Sequence, residues 1–274
     1  MANFHLPPQG FGPGSQGTGE ELDFMPLPSG MRTYSPHVPE TDGAAPQIVL
    51  DLLGAIAGAC DLAAIDGHSR SFDLSILTAP QRALVADTLG HGEVAMKLRG
   101  IPAIAVQESV FAGVWVLAGE GVDRVEIAPH PTLALTRAHV PHRPALGANA
   151  FRGAQVVNAP ALLAELQDKS RSHGADSPVH TINLSLLPHT EEDLVWLAEA
   201  TGEGAVTILS RGYGNCRVTA TAMPHVWRVQ FYNSTDALIL DTYEVSMIPE
   251  VVIAAPEDLS DSAARIREVA EAIR

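Results

Sequence analysis

The densest run of side chains able to do chemistry is Arg211-Gly212-Tyr213-Gly214-Asn215-Cys216-Arg217. It sets a thiol, a phenol, a carboxamide and two guanidinium groups around two glycines. Three kinds of chemistry are open to it. The glycines and Asn215 can shape a turn, with Cys216 entering the strand that follows. The run can be a loop offered to a partner protein. Or Cys216 can be a nucleophile, which needs a base and a group that orients the base. His180, His189 and His225 are the available bases, and no familiar cysteine-nucleophile signature surrounds any of them. The glycines are not a phosphate cradle, since no Gly-Lys-Ser/Thr follows them and they lie between strands.

The best histidine cluster for a metal is His139-x-x-His142 with His130 nearby. It lies in a Pro-flanked segment with no second ligand pair, so a structural or solvated loop is the stronger reading. With Cys216, these histidines are the candidate donors if the chain delivers a metal or cluster. Glu126 and Glu244 sit near the ends of two predicted strands, where they read as edge-strand solubilising groups instead of an acid/base pair.

Those residues must be held by strands and short turns. Offset by 112 positions, residues 90–117 match residues 202–229 without a gap. Eight of the 28 pairs are identical, where chance gives about two, and most are turn glycines and core-type residues such as Val94/Val206 and Trp115/Trp227, with Arg99/Arg211 among the rest. Residues 125–135 match 243–253 at an offset of 118. The sequence therefore predicts an α+β fold: two tandem copies of a helix plus antiparallel β-meander module, with flanking helices and a flexible N-terminal arm.

Each copy opens with a short helix, residues 79–88 or 190–201. Thr190 and Asp193 are placed for a capping box. Glu93–Arg99 alternates, with Val94, Met96 and Leu98 on one face. An Arg-Gly pair then marks a hairpin, followed by strands carrying Ile104 and Val106, Trp115 and Ile127 in copy one, and their counterparts in copy two. Copy one keeps Arg99-Gly100 but continues Ile101-Pro102-Ala103, so the Tyr-Gly-Asn-Cys part belongs to copy two alone.

The predicted boundaries are 1–45 for the Pro/Gly-rich arm and 46–140 for the first module with its leading helix. A linker and connecting helix follow over 141–178, and the second module with a closing helix takes 179–274. The closing helix, residues 256–273, carries a stripe of Leu259, Ile266, Val269 and Ile273 and is expected to pack on copy two.

The whole chain has 17 basic and 32 acidic residues, a net charge of -15. That charge disfavours nucleic acid and anionic membrane surfaces and favours basic peptides. Cys60 and Cys216 are too few for a disulfide framework or a four-thiolate site. No uninterrupted apolar run reaches a membrane span, and the N-terminus lacks the basic and apolar regions of a secretory signal. A cytoplasmic protein with reduced thiols is expected.

The motifs themselves carry a resemblance. Leu209 through Arg217, Val226-Trp227-Arg228-Val229-Gln230 with Tyr232-Asn233-Ser234, and Val106 through Trp115 resemble the HupH/HyaF/HoxQ family of hydrogenase expression/formation proteins. So do Met25-Pro26-Leu27-Pro28 with Met31-Arg32-Thr33-Tyr34, and Pro249-Glu250-Val251 leading to Ala255-Pro256-Glu257-Asp258-Leu259. The likeness runs from about residue 22 to the end. It implies a non-catalytic maturation chaperone for an uptake nickel–iron hydrogenase, with no cofactor and no catalytic residue to carry over. Its implied client is the iron–sulfur small-subunit precursor, met through the basic twin-arginine signal region, with a thioredoxin-like accessory protein as companion. Arg211, Gly212, Tyr213, Gly214, Asn215, Cys216 and Arg217 are the expected partner contacts. A metal or cluster delivery factor and a Cys216-dependent thiol enzyme are the alternatives.

Overall fold

The computed structural model describes residues 38–39, 43–211 and 214–274. Most of the predicted arm, and Gly212 and Tyr213 of the candidate loop, lie outside the described residues. The first half of the fold runs α1 (Gln47–Asp66), β1 (Arg70–Asp73), α2 (Ala79–Leu89), β2 (Val94–Leu98), β3 (Ile104–Glu108), β4 (Val114–Gly119), β5 (Val122–Ile127) and α3 (Thr132–Arg137). The second runs α4 (Ala159–Ser172), β6 (His180–Asn183), α5 (Glu191–Thr201), β7 (Val206–Ser210), β8 (Asn215–Ala220), β9 (Val226–Tyr232), β10 (Leu238–Val245) and α6 (Pro256–Ala272). The class is α+β: helices and one ten-stranded sheet, antiparallel at every pairing, in the order β1-β5-β4-β3-β2-β7-β8-β9-β10-β6.

Read outward from the β2–β7 junction, the two sides have the same strand sequence. The junction register sets Met96 opposite Ile208, positions that the offset of 112 makes equivalent. Val94, Met96 and Leu98 are buried on one face, as their alternation requires. Ile208, Val218, Trp115 and Trp227 join them under α3 and a 3-10 turn at Glu250–Val252. Each tryptophan donates its indole N–H to a carbonyl, Trp115 to Ala128 at 2.9 Å and Trp227 to Ser246 at 3.2 Å. Both rings can therefore be buried without an unpaired donor.

The other face is covered towards its two ends. Helices α4 and α5 lie over β9 and β10, where Leu163, Leu166, Trp196 and Leu197 meet Val226 and Tyr243. Asp193 ties the two helices together. Its Oδ2 accepts from the Thr190 N–H at 3.1 Å, completing the predicted capping box. Its Oδ1 accepts from the N–H groups of Val157, Asn158 and Ala159 at 2.8, 3.0 and 3.0 Å, at the start of α4. Burial opposes the charge of Asp193, but these backbone donors outweigh it and hold the carboxyl below its ordinary pKa.

Two expectations are corrected. Helix α6 does not pack on the second half: Leu259, Ile266, Val269 and Ile273 close over the first, against α1 and beside Phe111, Val114 and Ile127. Ser262 Oγ donates to the Ala112 carbonyl at 3.0 Å, and Arg267 pairs with Asp61 of α1. The second half's helix face is already filled by α4 and α5. The exposed apolar side of α1 needs a partner, so the last helix returns to it.

Glu126 and Glu244 do not lie on edge strands, because β1 and β6, four polar-biased residues each, form the outer edges. Glu126 is buried, with Oε1 accepting from Ser69 Oγ at 2.7 Å and from the N–H and Oγ1 of Thr132 at 2.7 and 2.6 Å. It anchors the start of α3.

Helix α1 runs to Asp66, and Gly67 ends it in a left-handed conformation. By length and composition, α1 could cross a bilayer, although the sequence offers no unbroken apolar run. Its Val49, Leu53, Ile56 and Cys60 are fully buried in the first-half core.

Candidate functional site

Strands β2 and β7 pair at the middle of the sheet, and Arg99 and Arg211 directly follow them. The Glu93–Arg99 alternation points Ala95, Lys97 and Arg99 away from the core face, and Thr207, Leu209 and Arg211 follow the same rule on β7. On β8 and β9 the outward positions are Arg217 and Thr219, Arg228 and Gln230. Cross-strand register lines these residues into two rows. One row runs Lys97, Thr207, Thr219, Arg228, Tyr243. The other runs Ala95, Leu209, Arg217, Gln230, Asp241. Together they floor a groove that α5 and the Arg143–Leu146 segment wall on one side.

Two cavities open along it and share Arg217. The larger, about 720 Å³, has Arg217, Thr219, Arg228 and Gln230 as its floor and Pro144, Leu146, Val195 and Glu199 on its wall. The smaller, about 480 Å³, lies at the hairpin between Leu209, Arg211, Asn215, Tyr232 and Asp236.

The floor is rigid at one end. Arg228 Nε and its terminal nitrogen donate to the two carboxylate oxygens of Asp241 at 2.9 and 2.6 Å, a fork on a carboxylate. Gln230 reaches the same carboxylate at 3.4 Å. Burial works against the Arg228 charge, but the Asp241 hydrogen bonds outweigh it and hold the guanidinium above its ordinary pKa. The same guanidinium stands 5.8 Å from the centre of the Tyr243 ring. Burial pushes the Tyr243 phenol up, so it stays protonated, 3.4 Å from Thr201 Oγ1.

At the other end the cations are free. Arg217 lies 5.7 Å from the centre of the Tyr232 ring, and Arg211 is exposed. Neither they nor Lys97 form an ion pair among the described residues.

The structure sorts the sequence-predicted residues. Arg211, Gly214, Asn215 and Arg217 are exposed at the hairpin. Gly214 has φ +99, a conformation that favours glycine. Asn215 Nδ2 contacts Asp236 Oδ1 at 3.4 Å. Cys216 instead points into the core among Ile208, Val218 and Phe231, and burial pushes its thiol up to about 11, with Glu244 adding to it. It is a protonated packing residue at neutral pH, without the thiolate that nucleophilic catalysis needs.

The metal candidates are not brought together. His142 is exposed, and His130 lies beside Glu126. His139 packs edge-on to Trp227, its ring 6.1 Å from that of His225. No group of three histidine, cysteine or carboxylate side chains is arranged to hold a metal ion among the described residues.

Arg228, Gln230, Asp241 and Tyr243 join the site without having been singled out by motif. The signal for the first two was there, in the polar positions that alternate with Trp227 and Val229. Their convergence with β10 depends on register.

The chain matches the family described as "HupH hydrogenase expression protein, C-terminal conserved region" over residues 156–273, the span from just before α4 to the end of α6. It is 63% identical over 276 residues to the hydrogenase expression/formation protein HupH of Rhodobacter capsulatus, covering 100% of both chains. The corresponding protein HupQ of Azotobacter chroococcum is 44% identical, over 98% of this chain and 97% of that one. The hydrogenase-1 operon protein HyaF of Escherichia coli is 31% identical, over 98% and 95%. A solved chain, the hydrogenase expression protein HupH from Thiobacillus denitrificans, is 32% identical over 39% of this chain and 89% of its own, with a TM-score of 0.37. The chain belongs to the HupH family of hydrogenase expression/formation proteins.

Proposed function

We propose that this chain is an accessory maturation factor for an uptake nickel–iron hydrogenase. It acts in the cytoplasm, without catalysis, by holding the iron–sulfur small-subunit precursor before that subunit joins the large one. Family membership supports the hydrogenase part, since relatives matched over nearly their whole length are named hydrogenase expression/formation proteins. The observation that carries the holding role is the groove. It is an open, preformed surface with exposed arginines at its hairpin end and a packed, hydrogen-bonded floor. Such a surface suits binding, and the one thiol near it is buried and protonated.

The net charge of -15 supports electrostatic attraction of a basic export signal on the client. A thioredoxin-like accessory protein is the proposed companion. The test is affinity capture of the full chain from cells blocked in large-subunit maturation, with mass identification of what is held. The small-subunit precursor is the expected catch, and it should be lost as salt rises. Capture of the large subunit alone, or of neither, would remove this reading.

A further inference from the structure

We propose that the groove over β7, β8 and β9 docks an extended acidic segment of a partner protein, one that also carries an apolar side chain. The inference rests on the holding role proposed above and names the chemistry of what is held at that surface.

The first observation is a difference between equivalent strands. In the first half, β3 and β4 pair Ala105 with Ala118 and Gln107 with Val116. In the second, β8 and β9 pair Arg217 with Gln230 and Thr219 with Arg228. The offset of 112 carries each residue of one set onto its counterpart in the other. At the places of 217 and 228 the first half folds with Ala105 and Val116. The sheet therefore does not require arginine there; Arg228 is taken up by Asp241, and the charge of Arg217 is left for another use.

The second observation is the local balance of charge. On a chain with a net charge of -15, Lys97, Arg211 and Arg217 stand exposed along this face without an ion pair among the described residues. The nearby carboxylates are mostly engaged. Glu203 meets Arg99 at 3.1 Å and Arg143 at 3.8 Å. Asp241 is held by Arg228, and Asp236 touches Asn215. Glu199 on the wall and the exposed Glu93, whose carbonyl takes the Arg211 N–H at 3.1 Å, are the carboxylates that remain. Free guanidinium groups on a concave surface present the fork that carboxylates fit.

The third observation is the wall. Val195 is 60% exposed and Leu146 45%, and both line the larger cavity next to Pro144. In the floor, Leu209 is 42% exposed. An aliphatic or aromatic side chain entering there would cover them while flanking carboxylates reach Arg217 and Arg211. Strands β7, β8 and β9 are internal to the sheet, so their backbone groups are already paired. Recognition then falls to side chains, not to strand addition.

The experiment uses the purified full chain and a short fluorescent peptide rich in glutamate with a central pair of leucines, followed by anisotropy. Companion peptides replace every glutamate with glutamine or with lysine. The variants are Arg211→Ala, Arg217→Ala, their double, Arg217→Lys, and Arg274→Ala as a distant charge control. The acidic peptide should bind. The double variant should weaken it about tenfold or more with an unchanged melting midpoint, Arg217→Lys should fall between, and Arg274→Ala should have no effect. The glutamine peptide should bind more weakly and the lysine peptide not through the groove. No binding of the acidic peptide, equal binding by the double variant, or equal affinity for the lysine peptide would overturn the proposal. Undiminished capture of the small-subunit precursor by the double variant would also overturn it, while leaving the maturation role standing. If the wild-type chain captured no precursor yet bound the acidic peptide through both arginines, the groove assignment would hold and the maturation reading would fall.

Discussion

Arg99 and Arg211 occupy equivalent places in two hairpins, and the protein uses them in opposite ways. Arg99 is tied down: its guanidinium donates to Thr207 Oγ1 at 2.9 Å and pairs with Glu203 at 3.1 Å, stitching the first half to the second. Arg211 reaches solvent beside a cavity and pairs with nothing described. The same contrast extends along the floor. Ala105 and Val116 in one half stand at the positions that the offset of 112 carries onto Arg217 and Arg228 in the other. The strand order tolerates either set, because these side chains lie on the face away from the shared core.

The sharpest break in that comparison should come at the third helical residue of α5. Asp193 is the counterpart of Gln81 in α2, whose Oε1 accepts from the Thr78 N–H at 2.9 Å. Gln81 serves one helix, whereas Asp193 serves two. Asp193→Ala strands several buried N–H groups and should cost about 3–5 kcal/mol in chemical denaturation, against about 1 kcal/mol for Gln81→Ala. The Asp193 contribution should be present above its ordinary pKa and disappear as pH falls through its lower folded value.

The next effect lies at the left-handed turn before β4 and β9. Gly113 has φ +76 and its counterpart His225 has φ +62. At Gly113 a Cβ would run into Leu259 of α6, so Gly113→Ala should lower stability by about 2–3 kcal/mol. His225→Gly relieves the conformational cost and should change stability by no more than about 1 kcal/mol. Equal losses from both would break the comparison.

The hairpins themselves should separate by about the same margin. Arg99→Ala should destabilise by about 1–2 kcal/mol, because it leaves Glu203 and Thr207 without that partner. Arg211→Ala should stay within about 0.5 kcal/mol of wild type and show its effect in binding.

A further difference between the halves is a slope with pH. Burial pushes the Glu108 carboxyl up to about 7, with the Gly113 N–H opposing and Glu93 adding. Its counterpart in the second half is Ala220. A carboxyl raised on folding favours the folded state while protonated, so its contribution is full below about 4.5 and is lost as pH rises to about 7. Glu108→Gln should remove that slope from a stability–pH curve, and a slope left unchanged would place the titration elsewhere.

Much of this architecture could be read from residue order. Alternation at Val94, Met96 and Leu98, the Arg-Gly turns, and the Thr190–Asp193 cap each depend on neighbours within a few positions, where local geometry decides. The arginines of β8 and β9 were legible as outward residues by the same rule. What they face was not, because register with β10 brings Asp241 and Tyr243 to Arg228. The four-residue edges β1 and β6 carry too few apolar positions to signal strands, and Glu126 looked like an edge group only because they were missing.

Residue order alone shows the helices and central strands, their outward and inward faces, the acidic balance and the family. Tertiary structure decided where α6 goes, which arginines remain free and which are absorbed. An amphipathic stripe requires an apolar partner but does not say which one, and a charge stays available only if no opposite charge folds against it.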